Sequence, residues 1–223
     1  MDLLTCPEVI HRAMDQMTHL MKFVVDTVSD IVLPSKQGTS NWTMGWSAKR
    51  FFCVGQNDLT CMIGPETFDA FCLKDTVATC RHVDYSIYHL DGPDAVRHVP
   101  ALLSIPELNC IQWIQGAGAP LPSKWIPLLR QIQDAGKSVQ VYYGPTHGAG
   151  ANLREELDAL CENLDPARLF FWAIVDSADE ADSVVRYARE VVASRRPVQA
   201  RIRKKHGPNS TTWDCQSTSG VQD

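Results

Sequence analysis

The sequence predicts an α/β fold built on a parallel sheet, and three observations predict it. Short apolar runs recur at intervals of about 25 to 30 residues with helical patterns between them, the signature of βα units. The runs, such as Cys110 to Ile114 and Val139 to Tyr143, are continuous rather than alternating, as suits a parallel sheet covered on its faces. The helical stretches carry start and stop signals of their own.

In chain order, Thr5-Cys6-Pro7-Glu8 offers a Thr cap, a Pro in the first turn and a Glu three residues after the cap, a capping-box arrangement. Ile10, Met14, Met17, Met21, Val24, Val25 and Val28 follow at helical spacing and read as core, until Pro34 and Gly38 end the helix. Asn41 to Trp46 is expected as a strand, with Trp42 and Trp46 packing, and Leu59 to Ile63 as a second short one. Gly64-Pro65-Glu66 opens a helix carrying Phe68, Phe71, Cys72 and Val77. A regular alternation then sets in. Strands are expected at Tyr85 to Leu90, Cys110 to Ile114, Val139 to Tyr143 and Leu169 to Val175. Helices are expected at Pro93 to Leu103, Ser123 to Ala135 (stopped by Gly136), Ala151 to Asn163, and from the capping box Ser177-Ala178-Asp179-Glu180 through Val192.

These are five or six βα units, against the eight units and roughly 250 residues of a closed (β/α)8 barrel. The chain opens on a helix with no strand before it, so the shortfall is expected at the N-terminal end. Residues 1–193 read as one domain. Residues 194–223 are polar, basic and Ser/Thr-rich without hydrophobic periodicity, and read as a disordered tail or a product of truncation.

Composition narrows the class. At 223 residues, with 44% hydrophobic and 21% charged residues, the chain is an ordinary globular domain. A formal net charge of −5 argues against nucleic acid as a general partner, the more so because Arg195, Arg196, Arg201, Arg203, Lys204 and Lys205 concentrate the basic charge in the tail. No apolar run approaches the roughly 20 residues of a membrane span, and the N-terminus does not read as a signal peptide. The eight cysteines contain no Cys-x-x-Cys pair, which points to buried thiols in a reduced cytoplasmic protein rather than a disulfide scaffold.

Several segments carry a resemblance: Cys61-Met62-Ile63-Gly64-Pro65-Glu66-Thr67-Phe68, Tyr85-Ser86-Ile87-Tyr88-His89-Leu90-Asp91-Gly92-Pro93, Ile105-Pro106-Glu107-Leu108-Asn109-Cys110-Ile111-Gln112-Trp113, Ile132-Gln133-Asp134-Ala135-Gly136-Lys137, and the helix around Glu180-Ala181-Asp182. Together, from about residue 2 to 192, they resemble the uroporphyrinogen decarboxylase superfamily, which also contains zinc-dependent corrinoid methyltransferases. The resemblance implies a TIM-type (β/α)8 barrel of which this chain is the C-terminal part. It implies zinc, a corrinoid co-substrate and a corrinoid protein as partner for the methyltransferase branch, and a porphyrinogen for the decarboxylase branch. In the methyltransferases a His-x-Cys pair matching His89 to Asp91, and a later Cys near Val175 and Asp176, bind zinc. Here Asp91 replaces the first Cys and neither Val175 nor Asp176 is a Cys.

Read from the residues, His89 and Asp91 are the sharpest site pair, as catalytic groups and as metal ligands. Two apart on a strand they share a face with Ile87, and they lie at the strand's C-terminal end, where barrel enzymes hold their sites. Imidazole and carboxylate both ligate zinc. Asp91 also precedes Gly92-Pro93, so a helix cap competes for it. Gln112, Trp113, Tyr143 and His147 are candidate substrate-binding groups at the next strand ends, with Gln115 and Tyr142 beside them. Gly148-Ala149-Gly150 could place an anion at a helix start or be a plain connection. Asp176 faces the mouth or caps the last helix, and Cys61 is a soft ligand or a buried thiol. No dinucleotide, phosphate-loop, nucleophile-elbow or metalloprotease motif is present. Three functions stay open: metal-assisted methyl transfer on a methylated small molecule or corrinoid, decarboxylation of a porphyrinogen-like substrate, and a non-catalytic remnant that self-associates or pairs with a separate N-terminal half.

Overall fold

The computed structural model describes residues 2–144 and 152–195. Its centre is a five-stranded parallel sheet: β3 (Phe51–Gln56), β4 (Tyr85–Asp91), β5 (Cys110–Ile114), β6 (Ser138–Tyr143) and β7 (Leu169–Ala173), lying side by side in chain order. The parallel α/β expectation holds. Each strand returns to the sheet through helical structure, as parallel neighbours require.

The N-terminal part departs most from expectation. A short α1 (Asp2–Thr5) precedes α2 (Pro7–Val32). Thr5 is helical, so the cap falls to Cys6, without a side-chain bond, and the expected Thr5 capping box does not form. Helix α2 buries Thr18, Val25 and Ser29, while Met17, Leu20, Phe23, Val24, Val28 and Ile31 are exposed, so most of its apolar stripe is not core. Asn41 to Trp46 is not a strand. Residues 41–45 form the connection of a small antiparallel hairpin between β1 (Thr39–Ser40) and β2 (Trp46–Ser47), which takes in Trp46. The Asn41 side-chain oxygen accepts bonds from the Thr43 amide and hydroxyl, a local turn that competes with extended structure.

Strand β3 was not expected, and Leu59 to Ile63, expected as a strand, falls largely within a 3-10 turn over Asp58–Met62. Helix α3 (Pro65–Phe68) runs through a π-helical turn into α4 (Lys74–Cys80). After β4 the expected helix divides into a 3-10 turn, Pro93–His98, and α5 (Val99–Leu103), because Pro100 lacks an amide hydrogen to continue the first bonding pattern. Helices α6 (Ile126–Asp134), α7 (Leu153–Asn163) and α8 (Ala178–Arg195) follow the sequence pattern. Asn152 caps α7 by accepting from the Arg154 and Glu155 amides. At α8 Ser177 accepts from the Glu180 amide, and the Glu180 carboxylate accepts from the Asp176 amide. Residues 196–223, most of the expected tail, lie outside the described residues.

The sheet has two unlike faces. One carries Val54, Tyr88, Leu90, Ile111, Trp113, Val139 and Val141 into the main core with Phe68, Leu102, Leu129, Ile132 and Leu160 from the helical segments. The other carries a small separate cluster of Phe51, Cys53, Ile87 and Cys110. A bulge at Val54 shifts the register of β3 against β4, so that Gly55 pairs with Tyr88 and Gln56 with His89. Gly55 sits under the Tyr88 ring, where a Cβ would overlap it.

Candidate functional site

At the C-terminal ends of β3 and β4 the structure brings together Asp58, His89 and Asp91. Each offers one ligand atom, and the three atoms lie within 4.8 Å of one another. Asp91 Oδ2 is 3.8 Å from His89 Nε2, and the His89 side chain is 10% exposed against 38% for Asp91. Asp58 is exposed, so the group opens outward from a nearly buried imidazole. Asp58 arrives through local structure. The bulge re-aims the chain leaving β3, and the 3-10 turn, closed by the Thr60 amide and hydroxyl on the Asn57 carbonyl, presents Asp58 at its first position.

Asp91 is not a helix cap. The cap position is Gly92, whose φ of 79° favours a residue without a Cβ, and no side chain bonds there. The Asp91 carboxylate is thereby left to face His89.

His89 is held from behind. Its Nδ1 lies 2.5 Å from Gln112 Oε1, Gln112 Nε2 donates to Gln140 Oε1 at 2.7 Å, and Gln140 Nε2 donates to the Thr43 carbonyl at 2.6 Å. Gln112 and Gln140 are fully buried, and they stand in register with His89 across β4, β5 and β6. Trp42 meets the imidazole edge-on, with 4.9 Å between ring centroids. The hairpin loop thus contributes a ring and a carbonyl to the surroundings of His89.

Cys61 donates its thiol to the Asp91 carbonyl at 2.9 Å. Desolvation, with the Asp91, Asp94 and Asp58 carboxylates adding to it, holds this thiol above its ordinary pKa. Burial also pushes Cys53, beside Trp42 and His89, up to about 11.

The other expected site groups separate. Gln112 joins His89. Trp113, one residue on, is fully buried on the helix-covered face, edge-on to Trp125 at 4.8 Å, so it cannot wall a pocket at His89. Tyr143 follows the same alternation, with Val141 in the core, and packs towards Phe171 at 6.2 Å between centroids. Tyr142 falls on the face of Gln140 and pairs with Trp172 at 4.9 Å. Asp176 belongs to the start of α8. His147 and the Gly148-Ala149-Gly150 loop lie outside the described residues.

Sequence reading missed Asp58, Gln140 and Thr43. The available signal for Gln140 was a lone amide in the middle of an apolar strand, Ser138-Val139-Gln140-Val141-Tyr142, mirrored by Gln112 in β5. Among the described residues no helix is long and apolar enough to cross a membrane. The chain matches no protein-family model, no curated protein and no solved structure.

Proposed function

We propose that this chain is a metal-dependent enzyme whose centre is Asp58, His89 and Asp91, and that its reaction is methyl transfer from a methylated small molecule or a corrinoid. One observation carries the metal reading: three convergent ligand atoms within 4.8 Å, one nearly buried, at the C-terminal edge of a parallel sheet. Strands in chain order, with helices on one face, support a TIM-type barrel architecture, of which β3 to β7 supply five units. The reaction class rests on the resemblance to the uroporphyrinogen decarboxylase superfamily, and porphyrinogen decarboxylation is the alternative that the test separates.

The donors fit a metal, but not the thiolate-rich zinc of the methyltransferase branch. Asp91 replaces a cysteine, Asp58 adds a second carboxylate, and Val175 and Asp176 offer no thiol. One imidazole with two carboxylates suits zinc bound through oxygen, or manganese, iron(II) or cobalt(II). Such a cation, when bound, polarises an oxygen or nitrogen of a substrate. The protein's own part is to hold His89 rigid, through Gln112 and Trp42, and to leave the Asp58 side open for substrate or a corrinoid protein.

Calorimetric titration of chelator-treated protein with Zn(II) and Co(II) tests the centre. One equivalent should bind, and His89→Ala, Asp91→Asn and Asp58→Asn should each weaken binding at least about tenfold. A wild-type dissociation constant above about 1 mM, some −4 kcal/mol of binding, would sink it. Formation of methylcob(III)alamin from cob(I)alamin and a methylated amine or thioether supports methyl transfer. Release of carbon dioxide from a porphyrinogen instead selects the alternative.

A further inference from the structure

We infer that Gln140 and the Thr43 carbonyl are positioning groups that fix the tautomer of His89, so that this residue presents a lone pair, and not a proton, to the mouth of the site. The inference follows from one group in the chain whose role is unambiguous. A backbone carbonyl only accepts. The Gln140 atom 2.6 Å from the Thr43 carbonyl is therefore the amide nitrogen, and its Oε1 must point the other way. That oxygen is 2.7 Å from Gln112, which must meet it with its own nitrogen. Gln112 Oε1 is then left facing His89 Nδ1 at 2.5 Å, and a bond between them requires the hydrogen on Nδ1. Neutral imidazole carries one N–H, so Nε2, the nitrogen 3.8 Å from Asp91, is bare.

Burial keeps this polarity in place. Both glutamines are fully buried, as is Thr43. Reversing Gln140 would set its oxygen against the Thr43 carbonyl and its nitrogen against that of Gln112, and reversing Gln112 would set its oxygen against Gln140 Oε1, costly arrangements without water to repair them. The direction of three side-chain bonds across β4, β5 and β6 is thus set by one carbonyl in the β1–β2 hairpin, which lies 97 residues before Gln140. Chemically, the species that His89 meets at the mouth must be an electron-pair acceptor: a divalent cation, or the N–H or O–H of a substrate. The cation arm rests on the proposed metal centre, whereas the tautomer does not.

The test reads the tautomer directly, by two-bond 15N–1H correlation spectra of ring-labelled, metal-free protein at a pH where His89 is neutral, assigned with His89→Gln. Wild type should show the Nδ1–H form alone. Gln112→Leu should abolish that preference. Gln140→Leu, which frees Gln112 to reverse, should give a mixture. Circular dichroism of each variant establishes folding, and the wild-type spectrum keeps the question answerable if a leucine variant does not fold. An Nε2–H signal in wild type, or an unchanged Nδ1–H signal in folded Gln112→Leu and Gln140→Leu, would overturn the inference. If the tautomer is as stated and Zn(II) still fails to bind, the metal reading falls alone. If zinc binds and the tautomer is reversed, the positioning role falls alone.

Discussion

The two faces of the central sheet are made from alternate residues of the same strands, yet they do different work. Trp113 and Gln112 are adjacent in β5 and both fully buried. Trp113 packs into the helix-covered core, where its neighbours are Leu, Ile, Val and another Trp. Gln112 spends its burial on two polar partners, Gln140 and His89, in a row that runs from the Thr43 carbonyl to His89. The difference teaches that one strand can hold the fold with one side and set a reactive group with the other, so mutations one residue apart should separate stability from function.

The largest expected effect is on the apolar side. Trp113→Ala should cost about 3–5 kcal/mol in urea unfolding, the range for large aromatic truncations, while any protein that remains folded keeps its affinity for Zn(II). Loss of zinc binding at full folding would break the distinction between the faces.

Alkali should act on buried thiols of both. Burial raises Cys53 and Cys80 to about 11 and raises Cys110 as well. A pKa raised in the folded state means that folding favours the protonated thiol. The stability this supplies is complete below the unfolded value near 9.0 and is lost as pH climbs towards 11. Unfolding midpoints measured from pH 8 to 11 should fall by an amount equivalent to a few kcal/mol, and a flat profile would contradict it.

Gln112→Leu should be milder for the fold, about 1–3 kcal/mol, because it strands His89 Nδ1 and Gln140 Oε1. Its sharper effect should be a drop in zinc affinity of about tenfold to a hundredfold. Smallest of all, Phe23→Ser on α2 should move stability by no more than about 0.5 kcal/mol, because that ring is 63% exposed. A large loss there would mean that the outer face of α2 is covered in solution, and sedimentation would then show self-association.

The legible part of the fold was the stretch from β4 onward, where continuous apolar runs alternate with helices marked by Pro, Gly and capping residues. Strand β3 was obscured because Phe51-Phe52-Cys53-Val54 is cut short by Gly55, while Leu59 to Ile63 offered a competing apolar run. Strand starts at 51, 85, 110, 138 and 169 leave the longest interval before β4, so spacing also favoured the later apolar run. Missing β3 meant missing Asp58, since a residue two positions past an unrecognised strand has no apparent direction. His89 and Asp91 were found because alternation along a strand is strict. The same rule separates Trp113 from Gln112 and Tyr143 from Tyr142, because position at a strand end does not decide which face a side chain takes. The Thr43 carbonyl was beyond reach, because backbone contacts between distant segments leave no mark on residue type.

Chain-order pairing also shapes how the molecule is assembled. Every strand after β3 finds its partner in the segment made just before it. As the chain leaves the ribosome, each new rung can dock on an edge already in place, and closing each intervening crossover costs entropy that grows only slowly with its length. The hairpin contact with Gln140 is the exception: it joins the first-made quarter of the molecule to a late rung, so the setting of the imidazole is completed only once most of the sheet stands.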